Sequence, residues 1–593
     1  MHDTLLNFHD KGFHTLFDSI VCDSVNVYTA ESVSNITEIC LIETLFSERG
    51  SRKDPVLLDP IRRRMTHSDS ATFLYPAVAI LAEMSQQLSE PSQHYVDGEW
   101  IDGDGAETFE STNPATGESL GEFQRGTDAD VDRALAAADD AFEEWSGLSY
   151  TDRAEYLWDI YHELKERHEE LGGIVSKECG KEISEGKADV NEAWDMVEWA
   201  AADARHPHGD VVPSEIAGKD AYMRRQPRGV IGCITPWNFP VAIPFWHMAV
   251  SLVEGNTVVW KPAEQTPWCG QVIAEMFAET GIPDGVFNMV QGYGDAGEAI
   301  VDDDRVQTVL FTGSAEVGHE ISGKVGGEAG KLAACEMGGK NGIVITDEAD
   351  METAVHSAVM SSFKTTGQRC VSSERIIVHE EIYDEFKEQF VDIAEDVAVG
   401  DPLDENTFMG PLIEDEHKEK VTGYNELAYD EDVDVLVDRT ELDESEIPEG
   451  HEDGVWIGPF VYEADPDADL RVTHEEVFGP HVALMPYSGD IEKAVAIHND
   501  TEYGLAGAII SENYHEINYF RDNAEIGLAY GNLPCIGAEI QLPFGGVKKS
   551  GNGYPSAREI IEAVTERTAW TLNNAEGIQM AQGLSADITT KND

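Results

Sequence analysis

From residue 229 onward, short apolar runs rich in β-branched residues alternate with longer amphipathic stretches. That alternation is the strongest constraint on what this chain can fold into. "GVIGCIT" (229–235), "TVVWKP" (257–262), "FNMVQG" (287–292) and "TVLFTGS" (308–314) read as buried strands. Helical patterns lie between them, such as 266–280, which Gly281 and Pro283 close. Strands separated by helices cross over and lie parallel, with helices covering both faces of the sheet. A second block repeats the pattern: "NGIVIT" (341–346), a helix at 350–363, then "RIIVHE" (375–380). Ahead of both, "VDRALAAADDAFEEW" (131–145) and "AEYLWDIYHELKERHEEL" (154–171) carry helical apolar spacing. The expected fold is α/β, with two doubly wound Rossmann-like domains. A single core rarely grows past roughly 250–300 residues, so a chain of 593 residues also calls for at least two packed units. The acidic stretch 430–454 is expected to be a solvated surface excursion.

Residues 1–83 differ from the rest of the chain. Their net charge is −5 against −69 for the remainder, and "IRRRMTHSDS" is basic where the rest is acidic. Met84 begins "MSQQLSEPSQHYVDGEW", which resembles an ordinary polar N-terminus. The expectation for 1–83 is a disordered leader or a start codon placed too far upstream, with a separate functional module as the alternative.

The charge bounds the partners. With 114 Asp and Glu against 40 Lys and Arg, the net charge is −74. Nucleic-acid binding needs a basic footprint, and none is present. Acid spread along the whole chain describes a solvated surface that repels itself in dilute buffer. Salt screens it, with a Debye length of about 3 Å at 1 M. The composition resembles that of proteins from salt-loving archaea. Eight cysteines with no CxxC and no Cys/His zinc spacing fit a reducing cytoplasm and no metal. The longest apolar runs, such as "TFLYPAVAILA" (72–82), fall short of the roughly 20 residues a membrane helix needs.

Four stretches carry chemistry. "TTGQRCVSS" (365–373) delivers Cys370 after Gly367, which can turn the chain sharply at the end of the preceding helix. A nucleophilic thiol needs access, a route for its proton and a place for negative charge. "CEMGGKN" (335–341) sets Glu336 before a Gly-Gly turn. A desolvated carboxylate there has a raised pKa and suits a general base. "TPWNFPVAIPFW" (235–246) holds Asn238 between Trp237 and Phe239 in a proline-fixed loop, where an amide can donate to an oxyanion. A dinucleotide has two candidate cradles. "GYGDAG" (292–297) matches GxGxxG, but the next strand ends without the expected acid. "FTGSAEVG" (311–318) offers Gly313, Ser314 and a helix N-terminus to a phosphate. "KPAEQTP" (261–267) adds Lys261 and Glu264 at a strand end. Both can bond ribose hydroxyls, and Glu264 would repel a 2′-phosphate, which favours NAD over NADP.

"PWNFP", "KPAEQTP", "FTGSAEVG", "EMGGKN", "GQRCVSS", "EEVFGP" and "PFGGVKKSG" occur in this order over roughly residues 90–575. On these seven motifs the chain resembles the NAD(P)-dependent aldehyde dehydrogenase superfamily. The resemblance implies that Cys370 is the nucleophile and that the Asn238 amide and the Cys370 N–H form the oxyanion hole. It implies that Glu336 activates the hydrolytic water. Trp237, Lys261, Glu264, Gly313, Ser314, Gly318, Glu476 and Phe478 would then hold the cofactor, with NADP possible beside NAD, and the GxGxxG at 292–297 would be a decoy. Enzymes of this fold that pass the acyl group to CoA typically lack the base, so Glu336 argues for hydrolysis. Non-enzymatic relatives would be expected to lose Cys370, Glu336 or Asn238. The implied domains are 84–204 with 229–337 for NAD and 338–559 for catalysis. A β element from 205–228 and 560–575 would build a homodimer or homotetramer, and 576–593 would be a tail.

One departure is His247, in "PFWH", where the family usually has a lysine. Histidine can move protons nearer neutrality, or it can be a packing change; both remain open. Arg369, directly before the nucleophile, is either a surface salt-bridge partner or the group that binds a substrate carboxylate. "GQRC" with "IGAEIQLPFGG" (536–546) resembles the semialdehyde branch. The implied small-molecule substrate is 2,5-dioxopentanoate, with 2-aminoadipic semialdehyde or a broad range of aldehydes as alternatives. From the charge alone, folding and activity should require molar salt; full activity in low-salt buffer would contradict this.

Overall fold

The computed structural model describes residues 92–206 and 208–577. The expectation for 1–83 and most of the tail expected at 576–593 lie outside the described residues.

The four expected strands of the first block, joined by Leu332–Glu336, form the parallel core of an eight-stranded sheet. In spatial order the strands are Glu99–Ile101, His94–Val96, Phe287–Met289, Thr257–Lys261, Val230–Ile234, Val306–Thr312, Leu332–Glu336 and Gly551–Asn552. The pairs from Phe287–Met289 to Leu332–Glu336 are parallel and the two ends of the sheet are antiparallel. Leu310, Val258, Ile231 and Trp260 are wholly buried, as strands covered on both faces must be. Successive strands run outward from Val230–Ile234 in one direction, then reverse to Val306–Thr312 on its other side. A crevice opens at the carboxyl ends of the strands at such a reversal. Thr235–Asn238 and Gly313–Ser314 leave the sheet there.

The second sheet has seven strands, in the order Asp434–Asp438, Phe460–Glu463, His481–Tyr487, Ser373–His379, Asn341–Ile345, Ala506–Ile510 and Leu528–Gly531. All pairs are parallel except that of Asp434–Asp438. The two sheets are the two Rossmann-like units expected. Only Met337–Lys340 separates the last parallel strand of the first from the opening strand of the second.

Three local expectations meet the structure differently. The helix expected at 154–171 is two helices, Tyr150–Glu166 and His168–Cys179, broken at Arg167. The stretch 430–454 is not wholly an excursion, because Asp434–Asp438 pairs with Phe460–Glu463 at the sheet edge; its apolar "VLV" lies between two exposed aspartates. The segment near 205–228 pairs with the C-terminal strand as expected. Lys219–Pro227 runs antiparallel to Thr565–Asn573 and to Val211–Val212. Among the described residues, no helix is long and apolar enough to cross a membrane.

Candidate active site

Helix Met351–Phe363 ends in a turn that no α-helical residue can make. Thr365, Thr366 and Gly367 all take positive φ, at 54°, 56° and 70°. For a β-branched residue that backbone is strained by roughly 1–3 kcal/mol, so it must be held. The Thr366 hydroxyl donates to the Gly410 carbonyl (2.8 Å), and Thr365 Oγ1 accepts from Arg369 Nε (3.0 Å). Glycine is required at 367, since a Cβ there would overlap the Gly479 carbonyl. The turn throws Cys370 back to the amino ends of the second sheet, facing the carboxyl ends of the first. Asn341 fixes it: Nδ2 donates to the Cys370 carbonyl (2.7 Å) and the Ser372 carbonyl (2.9 Å), while Oδ1 accepts from Ala506 N–H (2.9 Å).

Cys370 and Glu336 line one cavity of about 240 Å³, together with Asn238, Trp237, Glu476 and Phe478. Glu336 ends its strand and is buried. Its Oε1 accepts from Gly546 N–H (3.1 Å), and Oε2 has no protein partner among the described residues. Burial holds this carboxyl well above the usual range. The thiol of Cys370, half-buried, is pushed up to about 12, first by burial and then by the charges of Glu336 and Glu476. Asn238 spends one amide hydrogen on the Gln368 carbonyl (3.1 Å), and its NH2 group carries a second. Glu336, Cys370 and Asn238 therefore line the same cavity.

The cofactor candidates divide. Gly313, Ser314, Glu476, Phe478 and Trp237 line the cavity; Lys261, Glu264 and Gly318 do not. Lys261 Nζ and Glu264 Oε2 pair with each other at 2.7 Å at their strand end. Gly318 lies one turn into helix Ala315–Val325, where it makes room for Met337, so its place is a packing position and not part of the turn itself. The Gly313 N–H is taken by the Glu336 carbonyl (3.0 Å), which leaves a phosphate the helix N-terminus after Ser314. The GxGxxG at 292–297 does follow a strand and open a helix, Gly294–Asp302, yet none of its residues lines the cavity. Glu476 Oε1 accepts from Gly339 N–H (2.7 Å), and a Cβ at Gly338 would overlap that carboxylate. Phe478 meets Trp237 edge to face, with ring centroids 5.7 Å apart.

Arg369 is not the surface arginine that was one of its two expected places. Only 8% exposed, it lines the cavity, ion-pairs with Glu185 and lies over the Phe239 ring, 5.3 Å from its centre. Nη1 makes no hydrogen bond among the described residues. His247 does not titrate near neutrality. It is wholly buried, its pKa is lowered to about 3 by desolvation, and Nε2 shares a hydrogen bond with Thr312 Oγ1 (3.1 Å). That decides for the packing alternative.

Sequence reasoning missed Glu192, His417 and Lys420, which also line the cavity. Burial and nearby Asp189 raise Glu192 to about 8. His417 Nε2 bonds the Phe478 carbonyl (2.7 Å), and burial lowers its pKa to about 4. No motif surrounds them: Glu192 is one acid among 114 acidic residues.

Comparison with known proteins gives the family. The model of the aldehyde dehydrogenase family matches residues 100–570. The alpha-ketoglutaric semialdehyde dehydrogenase of Bacillus subtilis is 36% identical over 478 residues, covering 80% of this chain and 95% of the relative. The alpha-ketoglutarate semialdehyde dehydrogenase of Haloferax volcanii is 36% identical over 467 residues, covering 78% and 95%. The structure of betaine aldehyde dehydrogenase from Staphylococcus aureus in complex with NAD+ superposes with a TM-score of 0.78 at 30% identity, covering 84% of this chain and 98% of that one. The chain belongs to the aldehyde dehydrogenase family.

A thiol raised this far is mostly protonated at neutral pH. Alkylation of Cys370 by iodoacetamide in coenzyme-free enzyme should therefore climb about tenfold per pH unit from pH 7 to 10. A plateau below pH 9 would show a thiol activated before substrate arrives.

Proposed function

We propose that the protein oxidises a carboxylate-bearing semialdehyde to the acid with NAD, by way of a thioester on Cys370. The observation that carries this is the meeting of Cys370, Glu336 and Asn238 in one cavity. Cys370 gives up its proton toward Glu336, whose raised pKa makes it the stronger base. The sulfur adds to the aldehyde carbon. The new oxyanion accepts from the free Asn238 N–H and the Cys370 N–H. The adduct on Cys370 then loses hydride, which bound NAD would accept, and this leaves the thioester. Glu336 releases that first proton to solvent, then takes another from water as the water attacks the thioester, and passes it to the Cys370 sulfur as the C–S bond breaks and the acid leaves.

The residues present fit NAD. An aromatic wall of Trp237 and Phe478, the Glu476 carboxylate and the Ser314-capped helix N-terminus border one end of the cavity. Lys261 and Glu264 sit beyond it at a strand end. Glu264, an acid, disfavours the 2′-phosphate of NADP. Similarity to structures solved with NAD+ supports the same choice. The three-stranded sheet supports a homodimer or homotetramer, since Val211, Trp570 and Leu572 expose apolar surface on it. Free buried cysteines support a reducing cytoplasm.

For the substrate, Arg369 is one of two cations that line the cavity, Lys420 being the other, and the names of the similar semialdehyde dehydrogenases support a carboxylate-bearing aldehyde. Glu192, raised to about 8, is neutral near pH 7 and can donate its proton to a substrate oxygen.

NADH formation in molar KCl should favour 2,5-dioxopentanoate over an uncharged aldehyde of similar length, and Arg369→Ala should erase most of that preference. Equal rates on both substrates, unchanged in the variant, would leave Arg369 with only its hold on Thr365. Glu336→Gln should lower steady-state NADH formation at least about 10²-fold, with the first turnover slowed as well, since the variant lacks the acceptor for the Cys370 proton and the base for water. An unchanged steady-state rate would remove Glu336 as the base.

A further inference from the structure

We propose that Glu374 is the positioning residue for the coenzyme side of the cavity, fixing the backbone of Glu476–Phe478 opposite Cys370. This rests on the reading of the cavity as a site of NAD-dependent oxidation.

Glu374 stands near the start of strand Ser373–His379, four residues after the nucleophile, and is 3% exposed. Its Oε1 accepts from Val477 N–H (3.0 Å) and Phe478 N–H (2.7 Å). Its Oε2 accepts from Val477 N–H (3.1 Å) and Lys340 Nζ (2.5 Å). Lys340 is also fully buried, and Glu374 is its ion-pair partner. A buried ion pair is seldom kept for stability alone, since apolar residues of similar volume often serve as well. What this pair does locally is visible at Phe478. That residue holds φ at +65°, a conformation a bulky side chain keeps only when its surroundings impose it. Glu374 grips its N–H and His417 grips its carbonyl. Two residues earlier, Glu476 is tied to the N–H of Gly339.

Three consecutive residues of the coenzyme wall are thus referenced to Gly339, Lys340 and Glu374. The residue after Lys340, Asn341, holds the carbonyl of Cys370. Thiol and coenzyme wall therefore take their positions from adjacent residues, 340 and 341. Hydride transfer depends on that separation, and a misplacement of about 1 Å can cost on the order of 10²-fold in rate. Glu374 touches neither substrate nor coenzyme in this scheme; it acts through Glu476 and Phe478.

The test compares wild type, Glu374→Gln and the double variant Lys340→Met/Glu374→Gln in molar KCl. The double variant leaves no buried lysine unpaired. Four quantities are read: melting temperature, NADH affinity by fluorescence, alkylation of Cys370 without coenzyme, and the isotope effect on kcat with an aldehyde deuterated at C1. The expected result is a folded double variant whose Cys370 alkylates within about twofold of wild type, because Asn341 is intact. Its NADH should bind about tenfold more weakly, and an isotope effect should appear or grow as hydride transfer slows. A folded variant with wild-type NADH affinity and isotope effect overturns the proposal. So does a parallel loss of alkylation, affinity and melting temperature, or failure of both variants to fold, since these assign Glu374 to general stability. A wild type that binds no NADH overturns the reading of the cavity and this proposal together.

Discussion

Everything at this site depends on a link of four residues. Met337–Lys340 joins the last parallel strand of one sheet to the first strand of the other, and all four are buried. A link so short cannot reach around either sheet. It brings the carboxyl end of one, with Glu336, directly against the amino end of the other, where Asn341 and the Cys370 loop begin. The link also lies under the Glu476 carboxylate. At Gly338 any Cβ would occupy that carboxylate's place, so the pair of glycines is a demand of close approach more than of chain reversal. The cavity is the space left between two sheets held at this distance.

A second consequence is electrostatic. Three acids, Glu192, Glu336 and Glu476, meet there among mainly uncharged residues. Glu336, Glu476 and Glu192 all stand above the ordinary carboxylate range, the last two at about 7 and about 8. Desolvation is the largest cause in each. The Cys370 thiol, with carboxylates nearby, is raised with them. A site of this kind stores protons. A base that is hard to ionise is a strong base when it does, and its neighbour thiol needs one. Arg369 opposes the rise: its charge lowers the thiol, but by less than burial and the carboxylates raise it. Lys340 is committed to Glu374.

Legibility followed the kind of signal each feature left. Strands buried on both faces show as unbroken apolar runs, and every strand named from the sequence lies where the pattern put it to within a few residues. Cys370, Glu336 and Asn238 stood in distinctive local settings, beside glycines and prolines, and the structure brings them together. The GxGxxG was misleading because its local context is right, strand then helix. What it lacks is a place at the reversal of strand order, and only the pairing of strands reveals that. His247 was ambiguous because its titration depends on burial, which comes from the packing of its whole helix. Glu192, His417 and Lys420 left no trace, since a single polar residue on a helix reads the same whether it faces water or a cavity.

The sequence by itself determined the fold class and the family, and singled out Cys370, Glu336 and Asn238 as candidates. These are written in periodicity and in short contiguous motifs, which need no long-range information. Tertiary structure decided which groups face one another. It paired Arg369 with Glu185, bent two threonines into strained backbone, buried His247 and set Glu374 against the backbone of Val477 and Phe478. Those outcomes depend on contacts between residues far apart in the chain, with Glu374 and Phe478 separated by 104 positions. No local pattern records such a distance, because a side chain's charge, partners and direction are fixed only when the elements that carry it have packed.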